Sequence, residues 1–325
     1  TPASLGRWPE TTRPMGIGVI LPLLDGGAFG GQPRFRDILE MAQTVEACGF
    51  DAVWMPDHFI FRHEANNRTP QGIWEAFTSL AAVAGQVPRI SIGVLVTCLG
   101  WRNPGIVAKM AENLDEISEG RFVLGVGAGW HQPEYEMFGL PWDHRFGRFR
   151  DSISIISPLL RTGRADYEGE FFSADEALNL PGGSRRAEGG PPILVGTNGP
   201  KAMRLAAQFA DAWNSDWHHD PSTLLPRLAD LDAACEDVGR DPKTMVRTSG
   251  SNVALPGYLG RRANPMEGSP EQLAEQIAAF REIGLRHWVA GLDPWAAAAA
   301  FARLDSPLLG RSNDFAAVLS PFMFL

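Results

Sequence analysis

Cysteine is scarce in this chain, which contains only Cys48, Cys98 and Cys235. They are far apart, odd in number and outside any Cys-x-x-Cys spacing, so neither a disulfide framework nor a zinc knuckle is expected. Basic residues never form a run longer than two, and the formal net charge is −9. This charge pattern argues against a nucleic-acid partner and against an anionic membrane. We therefore expect a small-molecule substrate.

Long hydrophobic stretches are also absent. No segment approaches the ~18 apolar residues of a membrane helix, and residues 1–14 lack the apolar core of a signal peptide. These absences predict a cytoplasmic protein without membrane contact. With 44% hydrophobic residues, the chain can bury the core of a single domain over 1–325. The apolar C-terminal tail, about 306–325, is expected to pack on this domain or on a second copy in a homodimer.

Short apolar runs alternate with longer amphipathic stretches along the chain, which predicts strands and helices in turn. The eight predicted strands are Met15–Leu24, Phe50–Met55, Ile90–Val96, Phe122–Gly127, Pro192–Val195, Asp211–Asn214, Met245–Leu255 and His287–Ala290. The predicted helices are Phe35–Ala47, Pro104–Ile117, His144–Leu160, Lys201–Phe209, Pro221–Val238 and Pro270–Ile283. Eight βα repeats in about 300 residues favour an α/β fold of the TIM (β/α)8 barrel type over a doubly wound sheet.

Two segments depart from this repeat. Residues 161–190, after the fourth helix, are too long for an ordinary connector, and we expect an insertion that covers the site. Residues 252–269 extend the loop after the seventh strand and are rich in glycine, which is typical of a mobile lid. The active site of a parallel barrel lies at the carboxyl ends of its strands, so the residues that follow each apolar run are the candidates for function.

The segment from Arg121 to Gly139, RFVLGVGAGWHQPEYEMFG, joins a buried strand to a glycine cluster and an aromatic loop. Gly125, Gly127 and Gly129 would let a flat or phosphorylated ligand approach the backbone. An ordinary strand-to-helix turn explains the spacing equally well. The glycines are not a dinucleotide fingerprint, because Trp130 occupies the third glycine position and the motif is not at the first strand. The loop adds the candidates Trp130, His131, Glu134 and Tyr135.

Other strand ends also carry candidates. Asp57 and His58 follow the second run, where His58 can act as a general acid or base, and a helix-capping aspartate beside a structural histidine is the alternative. Cys98 follows the third run, and its position is equally consistent with a site residue and with an ordinary core cysteine. After the fifth run a glycine turn opens a helix and predicts a phosphate cradle, with an ordinary turn and an exposed lysine as the alternative. The cradle residues are Gly196, Thr197, Asn198, Gly199 and Lys201.

Together these motifs resemble the luciferase-like flavin and deazaflavin oxidoreductases. The resemblance rests on DH after the second strand, LVTCLGWRNP after the third, GRFVLGVGAGW with EYEMFGLP after the fourth, and PILVGTNGPKAMRLAAQFADAWN after the fifth. It covers the chain from Gly16 to about Asn214 and implies a TIM-barrel enzyme that uses the deazaflavin coenzyme F-420 or, alternatively, FMN. The segments LVTCLGWRNP and EGEFFSADEALNLP are most similar in sequence to those of F-420-dependent members.

The resemblance also implies roles for individual residues. Asp57 and His58 lie near the cofactor ring as catalytic residues, and a non-prolyl cis peptide at Leu95-Val96 supports one ring face. The other implied cofactor contacts are Thr97, Cys98, Gly127, Ala128, Gly129, Gly196, Thr197, Asn198, Gly199 and Lys201. The expected substrate pocket contains Trp54, Trp101, Trp130, His131 and Glu134, with core roles as the alternative for Trp54 and Trp101. No metal is expected, because histidines such as His218 and His219 match no ligand pattern and are typical of solvent-facing loops.

The expected activity is hydride transfer between F-420 and a small organic substrate. One alternative is an FMNH2-dependent monooxygenase that uses oxygen and a separate flavin reductase, and another is a flavin-binding barrel without turnover. Sugar-phosphate dehydrogenases of the family carry a glutamate directly after the glycine pair, where this chain has Trp130. The sequence therefore leaves the substrate open.

Overall fold

The computed structural model describes residues 7–21, 32–61, 70–254 and 264–292. The strands in these ranges are β1 (Gly16–Ile20), β2 (Ala52–Met55), β3 (Ile60–Phe61), β4 (Gln71–Gly72), β5 (Ser91–Val94), β6 (Thr97–Cys98), β7 (Phe122–Gly127), β8 (Arg164–Tyr167), β9 (Ala174–Leu178), β10 (Ile193–Gly196), β11 (Ala212–Ser215), β12 (Val246–Val253) and β13 (His287–Leu292). The helices are α1 (Phe35–Ala47), α2 (Ala76–Ala84), α3 (Pro104–Ile117), α4 (Gln132–Met137), α5 (Arg145–Arg161), α6 (Pro200–Phe209), α7 (Pro221–Asp237) and α8 (Pro270–Glu282).

Eight parallel strands close into a barrel. Their order is β10-β11-β12-β13-β1-β2-β5-β7, and β7 pairs with β10 to complete the ring. In this register Gly18 of β1 lies opposite Val289 on one side and Ala52 on the other. All eight predicted strands are present, so the TIM-barrel prediction is confirmed. The short β6 adds a parallel pairing to the carboxyl end of β7.

The outer helices bury one apolar stripe each against the strands. In α1 the buried side chains are Ile38, Met41, Ala42 and Val45, a spacing of three and four residues that keeps them on one face. Each large apolar side chain buried in this way contributes about 1.5–3 kcal/mol. The six predicted helices are all present, whereas α2 and α4 were not predicted from the sequence.

The inside of the barrel is filled by the ring of Trp54. A side chain at Gly18 or Gly93 would collide with this ring, so both glycines make room for it. The Trp54 indole donates a hydrogen bond to Nε2 of His287 at 3.1 Å, and Trp8 stacks on Trp54 with 6.3 Å between ring centroids. These rings close the barrel toward the amino-terminal ends of its strands, which leaves the opposite end as the place for a site.

Residues 161–190 form the antiparallel hairpin of β8 and β9 followed by a short 3-10 turn. The contacts of this segment are with the outer helices: Gly183 N donates to Glu112 of α3 at 2.5 Å, and Phe171 N donates to Asp151 of α5 at 2.8 Å. Its position therefore differs from the cover over the site that the loop length predicted. Buried carboxylates on α3 and α5 provide acceptors that hold the segment against the barrel wall.

Part of the predicted lid, residues 255–263, and the tail at 306–325 lie outside the described residues, so their roles stay predictions. Within the described ranges no helix is long and apolar enough to cross a membrane. The three cysteines are free thiols. In the same ranges no group of three or more His, Cys, Asp or Glu side chains is arranged to hold a metal ion.

Candidate active site

The carboxyl ends of three barrel strands meet around Val96. The peptide bond between Leu95 and Val96 is cis, as the family resemblance implied. A side chain added at Gly127 of β7 would come within 2.9 Å of Val96 Cγ2, and one at Gly196 of β10 within 3.0 Å of Val96 Cγ1. Predicted cofactor residues from β7, from β10 and from the segment after β5 are therefore brought together, and the two glycines make room for the Val96 side chain between them.

Asp57 is a buried carboxylate held by Arg102. The carboxylate is 1% exposed, and Arg102 donates to both of its oxygens, at 2.5 Å and 3.0 Å. The Thr97 hydroxyl donates to the same carboxylate. Paired guanidinium bonds of this kind are strong and directional. The geometry suits an anchoring charge that fixes the start of the loop after β2, and a catalytic role for Asp57 stays a prediction.

His58 is paired with the fully buried Glu134. His58 Nδ1 lies 2.8 Å from Glu134 Oε2, and the other carboxylate oxygen accepts from the backbone amides of Phe59 at 2.5 Å and Ile60 at 3.0 Å. Glu134 thus serves as the hydrogen-bond acceptor for two backbone amides and faces His58 with its second oxygen. With Glu134 as the acceptor, the ring proton of His58 lies on Nδ1, which leaves Nε2 as the nitrogen that can exchange a proton with a ligand.

Aromatic rings surround His58 at the barrel mouth. The ring centroids of Phe61, Trp130 and Trp101 lie 4.4, 5.7 and 6.0 Å from that of His58, and His131 lies 6.1 Å away. Trp130 is 62% exposed. Four of the five expected pocket residues thus lie in one cluster: Trp101, Trp130, His131 and Glu134. Trp54 does not join them, because its ring lies inside the barrel against His287. Its position therefore matches the core role that was the alternative for this residue.

Cys98 lies in a buried pocket with Tyr135. Its sulfur is 2.7 Å from the Tyr135 hydroxyl, which also lies 3.2 Å from the carbonyl oxygen of Ala128. Burial raises the pKa of the Cys98 thiol to about 11, so the thiol is neutral near pH 7 and is not an activated nucleophile. This is the environment of a core cysteine, and contact between Cys98 and a cofactor stays a prediction.

The turn after β10 forms the amino end of α6. Gly199 precedes the first helical residue, Pro200, and no side chain caps the first turn. Gly199 N donates to the Thr197 hydroxyl at 3.2 Å. Lys201 is exposed, and its ammonium lies 5.9 Å from the centroid of the Phe146 ring. The amino end of α6 and this ammonium are suited to an anion, and the predicted cradle residues lie together at the barrel mouth.

Polar residues at the end of β11 and directly after it were not predicted as site residues from the sequence. Ser215 Oγ lies between Asn198 Oδ1, at 2.6 Å, and His218 Nε2, at 2.9 Å. Trp217 packs over Gly250 of β12, where an added Cβ would come within 2.6 Å of the indole. His219 is exposed as expected, but His218 is half-buried and bonded. The available signal was their position directly after the sixth apolar run, which is a strand end like the others.

Comparison with known proteins identifies the family. The sequence profile of the luciferase-like monooxygenases matches residues 15–255. This chain belongs to the luciferase-like monooxygenase family. The matched range covers β1 to β12 and therefore includes His58, Glu134 and the glycine turn before α6. It confirms the resemblance inferred from the sequence motifs.

Several named relatives of this family are oxidoreductases. An F-420-dependent glucose-6-phosphate dehydrogenase of Microbacterium testaceum is 32% identical over 300 residues, 78% of this chain and 86% of the relative. A phthiodiolone/phenolphthiodiolone dimycocerosates ketoreductase of Mycobacterium sp. (strain JLS) is 29% identical over 68% of this chain and 63% of the relative. The pyrimidine monooxygenase RutA of Serratia proteamaculans is 29% identical over 70% of this chain and 64% of the relative. The chain thus spans slightly less than two thirds of the last two.

Solved structures share the barrel. An F-420-dependent secondary alcohol dehydrogenase in complex with an F-420–acetone adduct superposes with a TM-score of 0.72 at 20% identity, covering 94% of this chain and 97% of that chain. A riboflavin lyase with modified FMN and riboflavin superposes with a TM-score of 0.74 at 13% identity, covering 95% and 91%. At these identities the likeness shows a common fold, within which both deazaflavin and flavin enzymes are built.

Proposed function

We propose that this protein transfers hydride between coenzyme F-420 and a small organic substrate, with His58 as the acid or base. The observation that carries the proposal is the pair of His58 with the buried Glu134 at the mouth of the barrel, 2.8 Å apart. A histidine whose Nδ1 proton is fixed by a carboxylate presents a defined Nε2 to a ligand. The named F-420-dependent relatives support the choice of cofactor.

The residues at the barrel mouth fit a flat ring that carries a phosphate. Val96 lies between Gly127 and Gly196, whose missing side chains make room for its own side chain, so Val96 is the residue we expect to support the ring. The Trp101 indole nitrogen is buried and has no acceptor in the described part of the chain, as expected of a donor that awaits a ligand. Lys201 and the first turn of α6 would hold the phosphate. The proposed ring contacts also include Leu95, Thr97, Cys98, Ala128 and Gly129, and the proposed phosphate contacts Thr197, Asn198 and Gly199.

When bound, F-420 supplies the hydride chemistry, and the chain supplies position and proton transfer. Val96 supports one face of the ring site, and the rings of Trp101 and Trp130 line the side on which His58 lies. Orienting two reactants in this way removes much of the entropic cost of their meeting. His58 then gives or takes a proton at Nε2 while Glu134 retains the proton on Nδ1.

The substrate side of the site is aromatic. Trp130 occupies the position after the glycine pair where, by the family resemblance, sugar-phosphate dehydrogenases have a glutamate. Its exposed indole, beside Phe61 and His58, favours a substrate that offers a flat or apolar part to the protein. We therefore propose a small neutral organic compound as the substrate. A cytoplasmic location and a homodimer remain part of this proposal.

A second candidate is an FMNH2-dependent monooxygenase that uses oxygen and a partner reductase. The similarity to RutA, named as a pyrimidine monooxygenase, favours it, and the same site beside Val96 would accept the FMN ring. A flavin-binding protein without turnover is the third candidate. The His58–Glu134 pair argues against the third, since a binding role does not need a fixed proton acceptor.

The test is turnover under anaerobic conditions with reduced and with oxidised F-420 against a panel of small ketones, aldehydes and alcohols. We expect a change in the absorbance of the coenzyme with wild-type protein and none above background with His58→Ala, while both bind the coenzyme equally. Turnover that is unchanged in His58→Ala would remove His58 from the mechanism. Oxygen-dependent turnover with FMNH2 alone would establish the second candidate.

A further inference from the structure

A chain of hydrogen bonds leads from a histidine to the proposed phosphate cradle. Thr223 of α7 lies 2.8 Å from Nδ1 of His218, and Nε2 of His218 lies 2.9 Å from Ser215 Oγ. Ser215 Oγ in turn lies 2.6 Å from Oδ1 of Asn198, in the turn before α6. Ser215 is fully buried, whereas Asn198 is exposed at the barrel mouth. The two ends of this chain therefore lie in different surroundings.

The hydroxyl group of Thr223 determines the direction of its hydrogen bond with His218. The Thr223 hydroxyl donates its single proton to the carbonyl oxygen of Asp220 at 2.7 Å, so toward His218 it can only accept. Nδ1 of His218 therefore carries a proton. The remaining question is whether Nε2 carries one as well, and the answer depends on how Ser215 uses its own single proton.

With a protonated Nε2, every contact is a proper hydrogen bond. Nε2–H of His218 donates to Ser215, and the Ser215 hydroxyl donates to Oδ1 of Asn198, which turns the NH2 group of Asn198 outward. With a bare Nε2, the Ser215 proton goes to His218, and two oxygens would then face each other at 2.6 Å. That contact becomes favourable only if the Asn198 amide rotates, so that NH2 donates to Ser215 and the carbonyl oxygen turns outward.

We propose that His218 and Ser215 are positioning residues that set whether Asn198 presents a donor or an acceptor to the cofactor's anion. Protonated His218 turns the Asn198 NH2 group toward the cradle, where it attracts an anion together with Lys201. Neutral His218 turns the carbonyl oxygen there, which repels an anion. By linkage, anion binding and protonation of His218 favour each other. This inference rests on the proposed function, since it assumes that the cofactor's phosphate binds at the turn before α6.

The surroundings of His218 favour its neutral form when no anion is bound. Burial lowers the pKa of His218 below its usual value, as do the positive charges of Arg227 and His219, while Asp216 raises it. The protein without ligand thus favours neutral His218. A bound anion would add a negative charge near the far end of the chain, so it would draw a proton onto Nε2.

The first test uses the protein without cofactor and does not depend on the proposed function. Histidine 15N and side-chain amide NMR spectra would be recorded from pH 5 to 8.5. We expect a protonated Nδ1 of His218 at every pH, and a shift of the Asn198 NH2 signals that follows the titration of His218. In Ser215→Ala the Asn198 signals should no longer follow it. Asn198 signals that ignore the His218 titration in wild-type protein would overturn the proposal.

The second test measures F-420 affinity at pH 6 and pH 8. The cofactor's own ionisation is common to all variants, so the ratio of Kd values is compared between proteins. We expect wild type to favour pH 6 over pH 8 by about five- to tenfold more than His218→Gln or Ser215→Ala. The control is Lys243→Ala, an exposed residue that is outside these bonds and is not among the charges acting on His218, and it should behave like wild type.

The outcomes of the two tests separate the inference from the function on which it rests. An equal Kd ratio in wild type and His218→Gln, with Lys201→Ala still weakening binding, would reject the positioning role and leave the cradle intact. Binding that is unaffected by Lys201→Ala would place the anion elsewhere, and both proposals would then fail at this turn. Both proposals stand if the Asn198 signals follow the His218 titration and if only His218→Gln and Ser215→Ala lose the pH dependence of the Kd.

Discussion

Oε2 of Glu134 lies 2.8 Å from Nδ1 of His58. The same carboxylate accepts a hydrogen bond from the backbone amide of Phe59, which is 75 residues away in the sequence. The helix α4 thus clamps the loop after β2 to the loop after β7. One carboxylate fixes both the backbone and the orientation of the histidine ring. The proton chemistry that we assign to His58 therefore depends on a residue that need not touch the substrate.

Glu134→Gln should lower kcat by about ten- to a hundredfold with little change in F-420 affinity. A glutamine has one acceptor oxygen, so it cannot satisfy two backbone amides and also hold the Nδ1 proton of His58. Steady-state kinetics and coenzyme titration would measure this. The control is Glu136→Gln on the same helix, where the exposed carboxylate accepts from Gln132 at 2.6 Å. Equal kcat values for both variants would contradict the assignment.

Lys201→Ala should weaken F-420 binding by about 1–3 kcal/mol, the contribution of a charge-assisted contact. Fluorescence titration of the coenzyme provides the measurement. Lys243→Ala is a matched control, because Lys243 is exposed on the short turn that precedes β12, at the amino-terminal end of the barrel. If the two lysine variants bind equally well, the phosphate does not lie on α6.

Gly129→Ala should destabilise the fold more than Gly139→Ala. Both glycines have a positive φ, 79° and 66°, so either alanine variant would be strained by the left-handed backbone. Only at Gly129 would the new methyl group collide with the Tyr135 hydroxyl and the Cys98 sulfur, since nothing lies within 4 Å of the Gly139 position. We expect an additional loss of about 1–3 kcal/mol in unfolding free energy, measured by denaturant titration. Equal losses would show that the pocket of Cys98 and Tyr135 can expand at no cost.

Acid should destabilise the protein through His287. Burial lowers the pKa of His287 from 6.5 to about 4 in the folded state, so between these values the unfolded chain binds more protons than the folded one. The unfolding free energy should therefore fall as the pH falls from 6.5 toward 4, by about 3 kcal/mol in total from this residue.

The His287 effect must be separated from that of Asp115. Burial raises the pKa of Asp115 to about 6, so the folded state binds more protons than the unfolded state between pH 3.8 and 6, and the slope has the opposite sign. The test is therefore the difference in unfolding free energy between wild type and His287→Gln at pH 7, 6 and 5. That difference should shrink as the pH falls, and a constant difference would contradict the prediction.

The barrel was predictable from the sequence because its elements follow simple periods. The bounds of α1 and α3 were predicted to the residue, since amphipathic spacing and, for α3, Pro104 at the first position mark them. The helix α2, AFTSLAAVA, is nearly uniform in hydrophobicity, so no period reveals it. Six residues are too few for a period in α4.

The residues at the strand ends could be named from the sequence, but their partners could not. Position after an apolar run indicated His58, Gly196 and Lys201, because a parallel barrel gathers such positions at one end. The pairing of Asp57 with Arg102 and of Ser215 with His218 depends on side-chain directions in loops, which have no periodic signal. Trp54 was expected in the substrate pocket because it lies near a strand end. Its position in the sequence could not reveal that its ring fills the barrel toward the amino-terminal ends.

The proposed hydride transfer depends on binding of a deazaflavin by this barrel. Side-by-side fluorescence titration of the purified protein with F-420 and with FMN measures this preference. We expect tight binding of F-420 and much weaker binding of FMN, with Lys201→Ala weakening the former. Tight binding of FMN with weak binding of F-420 would contradict it and would make oxygen consumption with a flavin reductase the next assay.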